Sequence, residues 1–245
     1  MAPAGEAADD PAGTAATAGD LPRAWVSWSS GKDSLMALGE ARRTGTVQVT
    51  GLLTTVNATA NRVAMHGVRR ELLEAQADAL GLPLHVVELP WPCPNSVYEQ
   101  RMGDALVEAV ECGVEQMVFG DLFLADVRAY REDKLAGTGI TPIFPLWDRP
   151  TDRLATEVID AGVRAVLTCV DPTSAPAELA GRWYDQRLLA DLPPQVDPCG
   201  ENGEFHTLVV DGPGFAHPLD VRVGDVVEQG GFVYADVVPT GTPPG

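Results

Sequence analysis

The sequence predicts an α/β protein: an open, largely parallel sheet wrapped by helices, followed by a smaller C-terminal α+β lobe. Three observations predict it. From Trp25 onward, short apolar runs alternate with stretches of helical periodicity, which is the pattern of βαβ units. A turn bearing Ser and Gly separates the first apolar run from the first helical stretch. After Thr207 the pattern changes to β-rich pieces with a Gly230-Gly231 turn.

Element by element, the first strand is 24–28, and the helix after it carries Leu35, Met36 and Leu38; the second strand is 47–55. Val68, Leu72, Ala75 and Ala79 recur at helical spacing until Gly81-Leu82-Pro83 stops them before a third strand at 84–89. Tyr98, Met102, Ala105, Leu106 and Ala109 repeat the helical pattern, Gly113 ends it, and 116–119 is a fourth strand closing on Gly120-Asp121. Right-handed crossovers then place the loops after Trp28, Thr55, Leu89 and Phe119 along one sheet edge, where open α/β folds bind ligands. Beyond residue 130 the expected elements are a helix near 151–161, a strand at 165–170, a helix near 176–189, and strands at 208–210 and 232–238. The domains expected are 21–135 and 136–238. Residues 1–20 are rich in Ala, Gly and Asp with few large apolar side chains, so they cannot recover their ordering entropy by burial and form a disordered tail. A loose tail is expected at 239–245.

The composition is that of a folded, soluble chain, with 45% hydrophobic and 21% charged residues. A formal charge of −18 repels phosphate backbones, so no nucleic-acid partner is expected. No apolar stretch approaches the ~18 residues that span a bilayer, and the amino terminus is acidic, so a cytoplasmic protein without a membrane partner is expected. The cysteines Cys93, Cys112, Cys169 and Cys199 form no close pair and read as free thiols. Lys32 and Lys134 are the only lysines, a bias that fits GC-rich coding and makes Lys32 conspicuous.

Lys32 lies in Ser29-Ser30-Gly31-Lys32-Asp33-Ser34, between a strand and a helix. Such a turn aims backbone N–H groups at one spot beside the positive end of the helix dipole, which suits a phosphate, and Lys32 adds a mobile cation. The bland alternative is a Ser-rich helix cap. The run is not a Walker A loop, which needs a glycine where Val26 stands and Ser or Thr where Asp33 stands.

A second constellation is Asp197-Pro-Cys-Gly-Glu-Asn-Gly-Glu-Phe-His-Thr207. If 204–207 is extended, Glu204 and His206 project to one face, and the Asn202-Gly203 turn brings Glu201 close. A carboxylate and an imidazole so placed can orient an amine or take its proton. A plain hairpin with solvated Glu and His, or a metal site, are the rivals. His66 and Asp121 stand at the same expected sheet edge as candidate substrate contacts. Arg128 and Arg131 fall on the next helix as phosphate-neutralising candidates or ordinary surface arginines, and Trp147 and Trp183 are read as packing.

The run at 29–34 resembles the SGGKDS pyrophosphate loop of the ATP-pyrophosphatase superfamily, which cuts ATP between its α and β phosphates. Ser30 stands where that pattern has its first glycine, and a serine keeps the turn if its φ is negative. Together with GENGEFHTLVVDGP, the loop resembles the diphthine-ammonia ligase family and its prokaryotic relatives, and the likeness covers nearly the whole chain. Met65-His66-Gly67, Gly120-Asp121, Phe144-Pro-Leu-Trp147 and Gly181-Arg-Trp183 carry it further. The resemblance implies an adenine-nucleotide α-hydrolase (HUP) type domain with a smaller lobe presenting the substrate. It implies that Ser29, Ser30, Gly31, Lys32, Asp33 and Ser34 cradle the phosphates of ATP, that Asp33 helps to hold Mg²⁺, and that Thr54 and Thr55 lie beside adenosine. Lys32, Asp33, Glu201, Glu204 and His206 are then the expected catalytic residues, with His66, Asp121, Asn202 and Gly203 at the substrate.

The function so implied is ATP-dependent amide formation: a small or protein-bound carboxylate is adenylated, then amidated by ammonia or an amine. A non-catalytic ATP or AMP sensor on the same fold is the alternative. The sequence has Glu201-Asn202-Gly203-Glu204 where the diphthamide enzymes carry Glu-Gly-Gly-Glu, a variant that fits a bacterial relative with another acceptor; a homodimer is left open.

Overall fold

The computed structural model describes residues 21–241; the tail expected at 1–20, and 242–245 of the closing segment, lie outside the described residues. Strand β1 (Arg23–Ser27) sends Ala24 and Val26 into one core and Trp25 into another. Burial on both faces marks a central strand of a parallel sheet, because successive side chains point to opposite sides. Helix α1 (Lys32–Thr44) buries Leu35, Leu38 and Ala41 at helical spacing and ends at Gly45, whose φ of 61° lets its N–H close on Arg42.

Strand β2 (Gln48–Asn57) runs parallel to β1, and its far end is met antiparallel by the short β3 (Arg62–Val63). Helix α2 (Arg70–Leu80) leads into β4 (Leu84–Leu89), α3 (Asn95–Glu111) into β5 (Val114–Val118), and α4 (Ala125–Leu135) into β6 (Thr141–Ile143). The parallel strands stand in the order β4-β2-β1-β5-β6. Strand β6 pairs with β5 although it lies beyond residue 135, so the sheet topology puts the division between lobes after Ile143 rather than at 135/136. Three residues containing Pro142 carry no readable alternation, and proline is tolerated there because the strand is at the sheet edge.

The second lobe comprises α5 (Thr151–Asp160), β7 (Arg164–Val170), α6 (Gln186–Asp191), β8 (Phe205–Asp211), β9 (Val221–Gln229) and β10 (Phe232–Pro239), with antiparallel order β8-β7-β10-β9. The helix expected near 176–189 is instead a 3-10 turn at Ala177–Leu179, an extended stretch and then α6. Extended pairing wins because β7 still offers hydrogen bonds: Gly181 N–H donates to Leu167 O, Leu167 N–H to Arg182 O, and Trp183 bridges to Val166. Pro239 closes β10 opposite Val221, and Thr240 N–H donates to Asp220 O, so the chain is still paired where a loose tail was expected to begin.

One buried apolar cluster runs from Leu35 and Leu38 of α1 to Val166 and Leu208 of the second lobe, so the lobes share an interior. On the surface Asp236 of β10 binds both Arg62 and Arg69, at 2.9 and 2.6 Å. No helix among the described residues is long and apolar enough to cross a membrane.

Candidate active site

In this strand order the connections leaving β1 and β5 diverge to opposite sides, opening a crevice at the carboxyl ends of those two strands. The 29–34 loop follows β1 and lies in that crevice. Gly31 caps α1 in extended conformation, with φ −92° and ψ 171°. Ser30 corrects the expectation of a negative φ: it sits at φ 72°, where glycine is favoured, and is 0% exposed. Its conformation is held from outside, because its carbonyl accepts Val209 N–H at 2.9 Å and Gln76 Nε2 at 3.0 Å. Its hydroxyl is buried without a partner. Ser30→Gly removes both the left-handed strain and the orphaned hydroxyl, so the variant is expected to be stabler by about 1 kcal/mol despite glycine's larger unfolded-state entropy. A higher midpoint in urea denaturation at unchanged slope checks it; an unchanged or lower midpoint refutes it.

The loop side chains largely satisfy one another. Gly31 N–H donates to Ser29 Oγ, Ser29 Oγ to Ser34 Oγ, and Ser34 Oγ to Gly31 O. Lys32, expected as a mobile cation, is fixed: 1% exposed, it holds both Asp33 carboxylate oxygens at 2.9 and 3.0 Å and also the Cys199 carbonyl. Its ammonium lies 5.4 Å from the Tyr184 ring centre and 5.6 Å from that of Phe205. The reason is the second lobe, which roofs the loop. Burial works against the charge, but Asp33, with Cys199 and Glu201, outweighs it and holds the Lys32 pKa above its ordinary value.

The roof is the 197–207 segment. Asp197 Oδ1 accepts the N–H groups of Cys199 and Glu201, and its Oδ2 accepts the Thr151 hydroxyl at 2.7 Å. That turn aims the Cys199 carbonyl at Lys32 and carries Glu201 across the crevice, where its Oε1 accepts Leu122 N–H at 2.7 Å. Burial, with Asp33 and Asp121 adding, pushes the Glu201 carboxyl up to about 7. Glu204 and His206 do not share a working face. Strand β8 begins only at Phe205, and Glu204 is turned under the loop at 3% exposure, its Oε1 accepting Asp197 N–H and Asn202 Nδ2. Glu204, Asn202 and Gly203 therefore build the turn; the cavity is lined by Cys199, Gly200, Glu201, Phe205, His206 and Thr207.

His66, from the turn after β3, meets His206 with ring centres 4.5 Å apart. Its Nδ1 lies 3.1 Å from Thr207 O, which only accepts, so Nδ1 carries the proton and Nε2 is left as an acceptor. Burial, then the neighbouring His206, lowers His66 to about 3; burial, then Lys32, lowers His206 to about 4. Both rings are neutral near pH 7.

The opposite wall comes from the end of β5 and from α4. Arg131 Nε and Nη2 grip the Asp121 carboxylate at 2.7 and 3.2 Å over the Phe119 ring. A Cβ at Gly120 would lie 2.9 Å from the Asp33 carbonyl carbon, so glycine lets β5 approach the first turn of α1. The cavity is open on one side and holds about 220 Å³, below the ~300–1,000 Å³ of whole-ligand sites and suited to the charged end of a ligand. Thr54 and Thr55 are not part of its lining: Thr54 is buried within β2 with an unpartnered hydroxyl, and the Thr55 carbonyl accepts Ala64 N–H. Among the described residues no group of three or more His, Cys, Asp and Glu is placed to hold a metal ion.

Sequence reading missed Gln76, Thr207 and Tyr184. Gln76 had a signal, a polar residue on the apolar stripe of α2. Wholly buried, it accepts Trp28 Nε1 and donates to Ser30 O and Val209 O, pinning the loop to β8.

Comparison with known proteins finds a family model for each half of the chain. Residues 22–139 match the family model of the diphthamide synthase N-terminal domain, and residues 150–235 match that of its C-terminal domain. The chain belongs to the diphthamide synthase family. Its curated relatives include diphthine-ammonia ligase of Bos taurus, 25% identical over 185 residues, and that of Homo sapiens, 26% identical over 186, each alignment covering 69% of both chains. A diphthine-ammonia ligase of Schizosaccharomyces pombe is 28% identical over 95 residues, 37% of this chain and 16% of that protein. The first matched segment spans β1 to β5 and the second runs from α5 into β10, and the cavity draws its walls from both.

Proposed function

We propose that this protein is an ATP-dependent carbon–nitrogen ligase that adenylates a carboxylate and amidates it with ammonia or an amine. The observation that carries the reading is the convergence, in one cavity, of the first turn of α1, the buried Lys32 paired with the half-buried Asp33, and the Glu201 carboxyl. In the reaction a carboxylate oxygen bonds to the α-phosphorus as the bond to the β-phosphate oxygen breaks and pyrophosphate leaves. Ammonia then bonds to the acyl carbon, the bond to AMP breaks, and nitrogen gives up a proton.

The residues fit those needs. The α1 terminus and Lys32 stabilise the departing negative charge. Lys32 is neutralised by Asp33 and Arg131 by Asp121, so the side chains bring little net positive charge to a triphosphate. Mg²⁺, for which the carboxylate of Asp33 is a fitting hard-oxygen ligand, would supply the rest by screening the phosphates. Glu201, poised near neutrality, takes the proton from nitrogen, and the neutral His206 orders the nucleophile. The relatives' name makes diphthine and ammonia the first substrates to try.

Incubation with ATP labelled in the α-phosphate, Mg²⁺, ammonium and a panel of carboxylates, diphthine-bearing protein among them, tests the reading. Labelled AMP and pyrophosphate are expected in equal amounts with the right acceptor. Formation of ADP, or no product with any acid, would sink it.

A further inference from the structure

The side chains of the 29–34 loop have little left to give a ligand. Ser29 and Ser34 spend their hydroxyl protons on Ser34 Oγ and Gly31 O, and Lys32 is engaged by Asp33 and the Cys199 carbonyl. Thr207, opposite them on β8, is different. Its hydroxyl accepts the Lys32 backbone N–H at 3.1 Å, and among the described residues no acceptor takes its own proton. The residue is 2% exposed and lines the cavity. Its carbonyl is engaged by His66 Nδ1, so the backbone is anchored on that side as well. A hydroxyl with one lone pair committed to the α1 amide has its proton directed elsewhere, and the cavity is the open space beside it.

We propose that Thr207 is a ligand-binding residue whose hydroxyl donates to a phosphate oxygen seated at the first turn of α1. Strand β8 of the C-terminal lobe thereby completes a phosphate site that the loop leaves short of side-chain donors. The assignment rests on the nucleotide reading above and extends it to the second lobe.

Calorimetric titration of wild type, Thr207→Val and Thr207→Ser with the α,β-methylene analogue of ATP, and with adenosine, in the presence of Mg²⁺, tests it. A hydrogen bond to a charged oxygen predicts a roughly 10–100-fold loss of analogue affinity in the valine variant. Adenosine affinity stays within about threefold and serine restores binding, because serine keeps both the acceptor and the donor. A purely structural role would weaken both ligands equally, and that result, like an unchanged analogue affinity, overturns the assignment. If the valine variant does not fold, Thr207→Cys, a weaker donor of similar size, takes its place, with a smaller loss expected in the same direction. Wild type that binds neither ligand overturns the nucleotide reading and this assignment together, whereas analogue binding that Thr207 does not affect overturns only the second.

Discussion

Lys32→Met will lower the rate of pyrophosphate release on the order of 10³-fold and will also destabilise the fold. The first effect follows from removing the buried Lys32 ammonium beside the first turn of α1, where charge develops on the leaving group. The second follows from what stays behind: Asp33, with 27% of its side chain exposed, loses its counter-charge while Cys199 O loses its donor. Breaking such a pair costs about 3 kcal/mol, the lower end of the range for buried pairs because Asp33 retains some solvent. For a chain of this size that lowers Tm by roughly 6–12 °C. Methionine keeps the packing against Tyr184 and Phe205, so the loss reports charge rather than a cavity. Adding Asp33→Asn should recover most of the stability and none of the activity, a coupling that a double-mutant cycle measures. Activity within tenfold of wild type would refute the role given to Lys32. The same variant separates enzyme from sensor: unchanged nucleotide affinity with lost turnover belongs to an enzyme, whereas a wild type that binds without turnover belongs to a sensor.

Much of the fold was legible because it is written in periodicity. Strand β1 and helices α1 and α2 bury contiguous or helically spaced apolar residues, and Gly81, the stop read for α2, takes a left-handed φ. Strand β9 escaped although Val221 and Val223 alternate with Arg222, and the rest of what escaped had no period to show. Strands β3 and β6 have two and three residues, and the 176–189 segment carries Leu179, Tyr184 and Leu188 at near-helical spacing, all buried by a chain that is extended between Gly181 and Tyr184. There tertiary pairing with β7 overrode the local pattern, which no window of sequence contains.

The site divides the same way. Its loop and its acidic segment were legible as motifs, because their residue types and spacing carry the chemistry. Which residues of those motifs face the cavity depends on the turn, and there Asp197, a residue given no role of its own, decides: by capping Cys199 and Glu201 it sends Glu201 inward while Glu204 is spent on supporting the turn. Ser30 was misjudged because its φ is imposed by Gln76 and Val209, 46 and more residues away along the chain.

Glu201→Gln separates proton transfer from position, and its expected effect on rate is second only to that of Lys32. Glutamine keeps the acceptor that holds Leu122 N–H, so the turn stays in place, but it can no longer take a proton. Loss of a general base predicts a roughly 10²–10⁴-fold fall in kcat. The pH profile carries the sharper signature. With the Glu201 carboxyl at about 7, wild-type kcat/KM should rise with pH to a plateau above neutrality, and the variant should lose that limb. Stability should respond in the opposite sense. The folded protein keeps the Glu201 proton up to about 7, whereas an unfolded chain releases it near the ordinary 4.5, so the folded state binds more protons between them. The contribution of Glu201 to stability therefore declines as pH rises through that window, and Glu201→Gln should flatten the decline. A variant with wild-type rate and an unchanged pH limb would remove Glu201 from proton transfer and leave it the task of holding Leu122.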